Sequence, residues 1–259
     1  MKRYSASFIA LLYVIIVIMA VPGIISASSL PGTIHLDLNQ PPLSEPEKKD
    51  PVQEKYDEVM SEIQISDEAA EVVENIKGAV EGVQSFTMDV DVAEIRGQRI
   101  ERVFVHLLAS VEHKIARIEF LEPSAMRGQI LVADQEKMEV RIYQPVNNQI
   151  AVRGLEDASK EVLSTLSVAD LNTFFDFSEY AVEVLEVAEK EEVCTYKLQV
   201  SANEEVWHVS VNSDTWFPHE IVVVEGDVPG TMSISNVVFD AELTAEELAD
   251  LPKAKEVRL

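Results

Sequence analysis

A single cysteine, Cys194, in 259 residues rules out an internal disulfide, so the fold must be held by its core rather than by staples. No cysteine lies in the N-terminal leader, which excludes diacylglyceryl modification there. Basic residues are scarce as well: 21 Lys and Arg stand against 46 Asp and Glu, a net charge of −25. Such a surface repels phosphate backbones and anionic headgroups, so nucleic-acid binding is the first function excluded. The acids are scattered through Glu71, Asp89, Glu101, Glu119, Glu183 and Glu204, which fits solubility or a saline medium better than an acidic recognition face.

Catalytic patterns are missing too. His35, His106, His113, His208 and His219 stand apart, without the His-x-x-x-His or Cys-x-x-Cys spacing that sets metal ligands on one face. There is no Gly-x-Ser-x-Gly elbow, Gly-rich phosphate loop or EF-hand pattern. Asp89 and Asp91 share a strand face at a spacing that metal or glycoside chemistry can use, but such pairs commonly line solvated faces, and that reading is preferred. His219, in an alternating strand, is read as facing solvent, and Cys194 as a small buried apolar residue. No enzyme activity, cofactor or metal is expected.

What is present begins with a leader. Lys2 and Arg3 precede an apolar run from Phe8 to Val21, Pro22-Gly23 breaks it, and Ser26-Ala27-Ser28 offers small residues for cleavage. Residues 1–28 therefore read as an export signal; the competing reading is an uncleaved anchor, since Phe8–Ile25 is near the minimum to cross a bilayer. Residues 29–54, with Pro31, Pro41, Pro42, Pro46 and Pro51, read as an acidic linker too polar to pack. Residues 55–252 read as one domain and 253–259 as a tail.

Inside the domain the periodicity predicts first a helix from Ser66, with Ala69, Val72, Val73, Ile76, Ala79, Val80 and Val83 on one stripe. Ser66 suits the N-cap, and Asp67 and Glu68 suit the positive end of the helix; Lys55–Ile63 is a possible earlier helix. Period-two strands follow: Phe86, Met88, Val90 and Val92, a turn at Arg96-Gly97-Gln98, then Val103, Val105, Leu107 and Ala109. Ile115–Arg153 continues as short strands punctuated at Glu122-Pro123-Ser124, Asp134–Lys137 and Gln144–Asn148. Ala158–Thr165 and Val168–Phe175 read as short apolar helices inserted into the sheet. Strands resume at Ala181–Val187, Cys194–Val200, Val206–Asn212, Pro218–Glu225 and Met232–Phe239. A final acidic helix over Thr244–Leu251 carries the capping-box pair Thr244 and Glu247.

The pattern predicts a mainly β (α+β) fold: a curved antiparallel sheet with one helix before it and an apolar insertion able to cover its concave face. Such an arrangement makes an elongated hydrophobic cavity or, with the same residues, a filled core. Candidate lining residues are Phe86, Met88, Val90, Val105, Leu107, Ile118, Phe120, Leu131 and Ile142, with Phe174 and Phe175 from the insertion.

These segments resemble the LolA/LolB-like superfamily of periplasmic outer-membrane lipoprotein carriers. The leader, the amphipathic helix, VQSFTMDVDV from Val83, FLEPSAMRGQILVADQEKMEVRIYQPVNNQIAV from Phe120, GLEDASKEVLSTLSVADL from Gly154 and SNVVFDAELTAEELADLP from Ser235 occur in the family's order. The resemblance spans roughly Val59–Pro252. It implies a half-barrel of antiparallel strands under a helical lid, sheltering lipoprotein acyl chains or a similar lipid, exported and close to a membrane, with lid opening in place of covalent chemistry. The chain departs from the pattern where the family carries an arginine that ties the lid shut; Glu112-His113-Lys114 stand there, with Arg117 and Arg127 nearby but not equivalent. Related branches act as envelope-stress sensors or serve sporulation, which leaves a second expectation open: an interaction domain whose partner is another envelope protein. Carriage and interaction differ in whether the sheet encloses a ligand.

Overall fold

The computed structural model describes residues 65–155, 171, 175, 177, 180–202, 205–226 and 229–258. Helix α1 (Asp67–Val80) opens the domain, with Ser66 Oγ accepting from Ala69 N at 3.2 Å. Its buried side chains, Ala69, Val72, Val73, Ile76 and Val80, fall at helical spacing, while Glu68, Glu71 and Glu74 face water.

Twelve strands follow: β1 (Ser85–Arg96), β2 (Arg99–Ser110), β3 (Ile115–Glu122), β4 (Ile130–Asp134), β5 (Glu139–Gln144), β6 (Gln149–Gly154), β7 (Ala181–Lys190), β8 (Val193–Ala202), β9 (Glu205–Asn212), β10 (Pro218–Glu225), β11 (Gly230–Phe239) and β12 (Lys255–Arg258). Helix α2 (Ala245–Ala249) lies between the last two. All join one sheet, ordered β12-β6-β5-β4-β3-β2-β1-β11-β10-β9-β8-β7. Two antiparallel meanders, β1 to β6 and β7 to β11, thus meet at the β1–β11 ladder, leaving β7 and β12 as edges. The sheet does not close.

Alternation sorts the strand side chains into two faces. Phe86, Met88, Val90 and Val92 of β1 share the inner face with Val103, Val105, Leu107 and Ala109 of β2 and Ala116, Ile118 and Phe120 of β3. That face joins a single core with Leu198, Val200, Trp207, Val209, Ile221, Met232 and Ile234 of the second meander, with α1, and with Leu171, Phe175, Phe177 and Tyr180. A flat sheet of twelve strands would be roughly 50 Å wide, whereas one helix covers roughly 10 Å. A shared core across nearly the whole width therefore requires the sheet to curl, so that its two halves and the cover meet.

The outer face carries a second, smaller core. After β11 the chain crosses to the far edge: Asp240 N donates to Ser85 O at 2.7 Å and Ser85 Oγ to Ala241 O at 2.6 Å. Leu248 of α2, fully buried, then packs with Ile115 and Val132, joined by Leu108 and Ile130. Thr244 and Glu247 form the expected capping box. The segment expected to be a tail instead supplies β12, parallel to β6, with Arg141 Nη2 2.6 Å from Glu256 Oε1. Its four residues, KEVR, carry no apolar alternation, because backbone pairing rather than burial holds them. The helices expected at Lys55–Ile63 and Ala158–Thr165 lie outside the described residues, as does most of Val168–Phe175.

Candidate functional site

Nine of the expected lining residues stand on one face in one layer. Phe86, Met88, Val90, Val105, Leu107, Ile118, Phe120 and Leu131 are each no more than 3% exposed, and Ile142, opposite Leu131, is half-buried at the margin. Phe175 is fully buried among them, its ring meeting Phe217 edge-on at 5.1 Å between centroids; Phe174 lies outside the described residues. A chain of edge-on contacts continues through Phe217 and Phe239, at 5.3 Å. Tyr180 and Trp207, at 5.6 Å, extend the aromatic lining toward β8 and β9.

The register fixes which of these lie level with one another. Val103, Val92, Met232, Ile221, Val209, Leu198 and Val184 form a row across seven strands. The neighbouring row reads Glu101, Glu94, Gly230, Val223, Trp207, Val200 and Val182. An apolar band thus spans the second meander and ends, on β1 and β2, at two carboxylates. Glu94 is legible as an inward residue, since it keeps the parity of Phe86 to Val92, but in so acidic a chain one more glutamate does not stand out.

Asp89 and Asp91 lie on the other face. Asp89 Oδ1 is 2.6 Å from His106 Nδ1, and its Oδ2 accepts from Asn236 Nδ2 at 2.6 Å. Burial alone would raise the Asp89 pKa, but the Asn236 and His106 contacts hold it below the ordinary aspartate value. Asp91 accepts from Arg102 Nε at 2.7 Å. Each aspartate is engaged by a different cross-strand neighbour, which accounts for both on a solvent-side face. Among the described residues no group of three metal-ligating side chains gathers.

Two expectations need correction. His219 does not simply face solvent: it occupies a bulge in the β9–β10 ladder, half-buried, with Nδ1 buried and without a hydrogen-bond partner. Cys194 is half-buried rather than buried: it stands at the start of β8, opposite the exposed Glu189 at the end of β7. Arg117, set aside as not equivalent to a lid-tying arginine, proves to be a buried tie on the outer face. Its Nε donates to Glu119 Oε1 at 2.7 Å, and Nη1 donates to the carbonyls of Leu248, at 3.4 Å, and Asp250. The guanidinium therefore fastens the end of α2 to β3.

No family model and no curated protein sequence matches the chain. Among solved structures it is similar to an uncharacterized conserved protein from Thermus thermophilus, at 17% identity and a TM-score of 0.47, over 74% of this chain and 99% of that one. It is also similar to a LolA superfamily protein from Nitrosomonas europaea, at 12% identity and a TM-score of 0.36, over 70% and 97%. The Mycobacterium tuberculosis lipoprotein LppX is similar at 12% identity and a TM-score of 0.44, over 69% and 99%. Among the described residues no helix is long and apolar enough to cross a membrane.

Proposed function

We propose that this chain is a non-enzymatic, extracytoplasmic binding protein that takes up lipoprotein acyl chains, or a similar lipid, between the inner face of its sheet and the elements covering it. The observation that carries the reading is the composition of the cover. Leu171, Phe175, Phe177 and Tyr180 meet the sheet through apolar and aromatic side chains in one continuous core. Apolar packing is non-directional. A hydrocarbon chain can therefore replace such side chains against Val90, Leu107, Ile118 and Phe120 without leaving a ladder unpaired. All of these are buried, so entry requires the cover to move, and affinity is the gain from the chain less the loss of the cover's own contacts. The leader and the Pro-rich segment 29–54, as read from the sequence, support an extracytoplasmic setting close to a membrane.

Trp207 stands in the inner face and reports the uptake. Titration of the purified protein with hexadecanol or a fluorescent fatty alcohol is expected to shift tryptophan emission saturably, and native mass spectrometry to show one retained lipid. A flat titration together with consistently lipid-free protein from gentle extraction would overturn the reading.

The near-complete burial of eight expected lining residues favours a second reading, in which the inner face is a permanently filled core and the sheet presents its surface to another envelope protein. The β7 edge, where Leu185 and Val187 are about half exposed, offers such a surface. In-cell crosslinking from Val187 would then capture one envelope protein, with no retained lipid.

A further inference from the structure

The inner face contains one side chain of contrary chemistry. Glu94 follows Phe86, Met88, Val90 and Val92 in parity along β1, and its side chain is only 3% exposed. Among the described residues it is the only buried charged side chain on that face, for Arg117 and Asp134 stand on the other. Half of its carboxylate is accounted for. Oε2 accepts from Arg96 Nε at 3.0 Å; Oε1 is buried and meets no donor. Arg96 is itself shared, its Nε lying 3.5 Å from Glu101 Oε2. Burial raises the Glu94 pKa above the ordinary glutamate value, with the Arg96 contact acting against it.

The surroundings show what could approach that oxygen. Beside Glu94 in its row, β11 offers Gly230, which brings no side chain; an added Cβ there would meet the backbone oxygen of Ala93 at 2.8 Å. Beyond Gly230 the row is apolar through Val223, Trp207, Val200 and Val182. A hydrocarbon chain lying along it would bring its polar end to Glu94.

We propose that Glu94 is the headgroup subsite of the inner face: Oε1 accepts a hydrogen bond from the hydroxyl or ammonium end of an amphiphile, and the subsite disfavours anionic ends. This rests on the lipid-binding reading and sharpens it. An unmet buried acceptor gains most from a ligand that donates to it, whereas a carboxylate or phosphate would meet the like charges of Glu94 and Glu101 with one guanidinium between them.

The test uses the full chain and three probes of one chain length, dodecanol, dodecylamine and laurate, titrated by calorimetry at neutral pH. Dodecanol and dodecylamine are expected to bind about tenfold or more tightly than laurate. Glu94→Leu is expected to abolish that preference while retaining or improving laurate binding, which also shows that the variant folds. Glu94→Gln, close in shape, is expected to narrow the gap and decides the matter if the leucine variant does not fold. Equal affinity for all three probes in the wild type, or a preference unchanged in the variants, would overturn the subsite and leave lipid binding standing. Binding of none of the probes would remove both.

Discussion

At the scale of single residues, charge burial separates groups that stabilise the fold from one that strains it. Asp134 lies under the β4–β5 turn and accepts from Lys137 N at 2.9 Å and Lys137 Nζ at 2.6 Å. Burial would raise its pKa, but these donors hold it below the ordinary value, as Asn236 and His106 do for Asp89. Because the folded values are depressed, both groups add stability at neutral pH that is lost as pH falls through the acid range below the ordinary aspartate value. Asp134→Asn is therefore expected to lower stability at pH 7 and to have little effect near pH 2, measured by urea unfolding at both. Glu94 has the opposite sign. Its raised value means that stability falls as pH rises from the ordinary glutamate range through the folded pKa. Removing the charge with Glu94→Leu is expected to raise stability at pH 7, since Arg96 is partly exposed and keeps Glu101 as a partner, with the gain shrinking in acid. A loss of stability at pH 7 with no pH dependence would contradict this account.

At the scale of elements, the ties that hold the C-terminal crossing can be tested one by one. Arg117 connects three acceptors, Glu119 and the carbonyls of Leu248 and Asp250, so Arg117→Ala is expected to cost about 2 kcal/mol in urea unfolding. Leu248→Ala empties the smaller core and is expected to cost about 2–3 kcal/mol. If either variant unfolds like the wild type, the crossing is not an integral part of the fold. These elements also show what a sequence reveals and what it hides. The helix at Asp67–Val80 and strands β1 and β2 are legible because each buries one face, and burial leaves a period. The far half of β7 did not show beyond Val187, since Val184 to Lys190 are mostly exposed and only the ladder to β8 holds them. β12 left no trace for the same reason. The inner-face residues were legible as a set through parity, but no local pattern encodes which strands are neighbours, and the meeting of Glu94 with Gly230 depends on the β1–β11 ladder, between residues far apart in the chain.

At the scale of the whole molecule, that ladder and the charge act together. β1 of the first meander pairs with β11 of the second, and among the described residues that ladder is the one sheet connection between the two. A single core spans the joint, which predicts that both halves melt together despite the long connection between β6 and β7. Opposing this unit is the chain's acidity, a net −25 over the whole sequence, with Glu68, Glu71, Glu183 and Glu189 among the carboxylates exposed on the domain. Repulsion among surface carboxylates is largely screened once the Debye length falls to about 10 Å, at roughly 0.1 M salt, whereas apolar burial and the buried Arg117 tie are little affected. Raising sodium chloride from about 10 mM to 150 mM is therefore expected to raise the melting temperature by a few degrees, the shift that about 1 kcal/mol produces in a domain of this size. Calorimetry should show one transition at both salt concentrations. Two transitions, with the lower one moving alone on addition of salt, would mean that the halves are separate folding units and that the β1–β11 joint is weaker than its shared core implies.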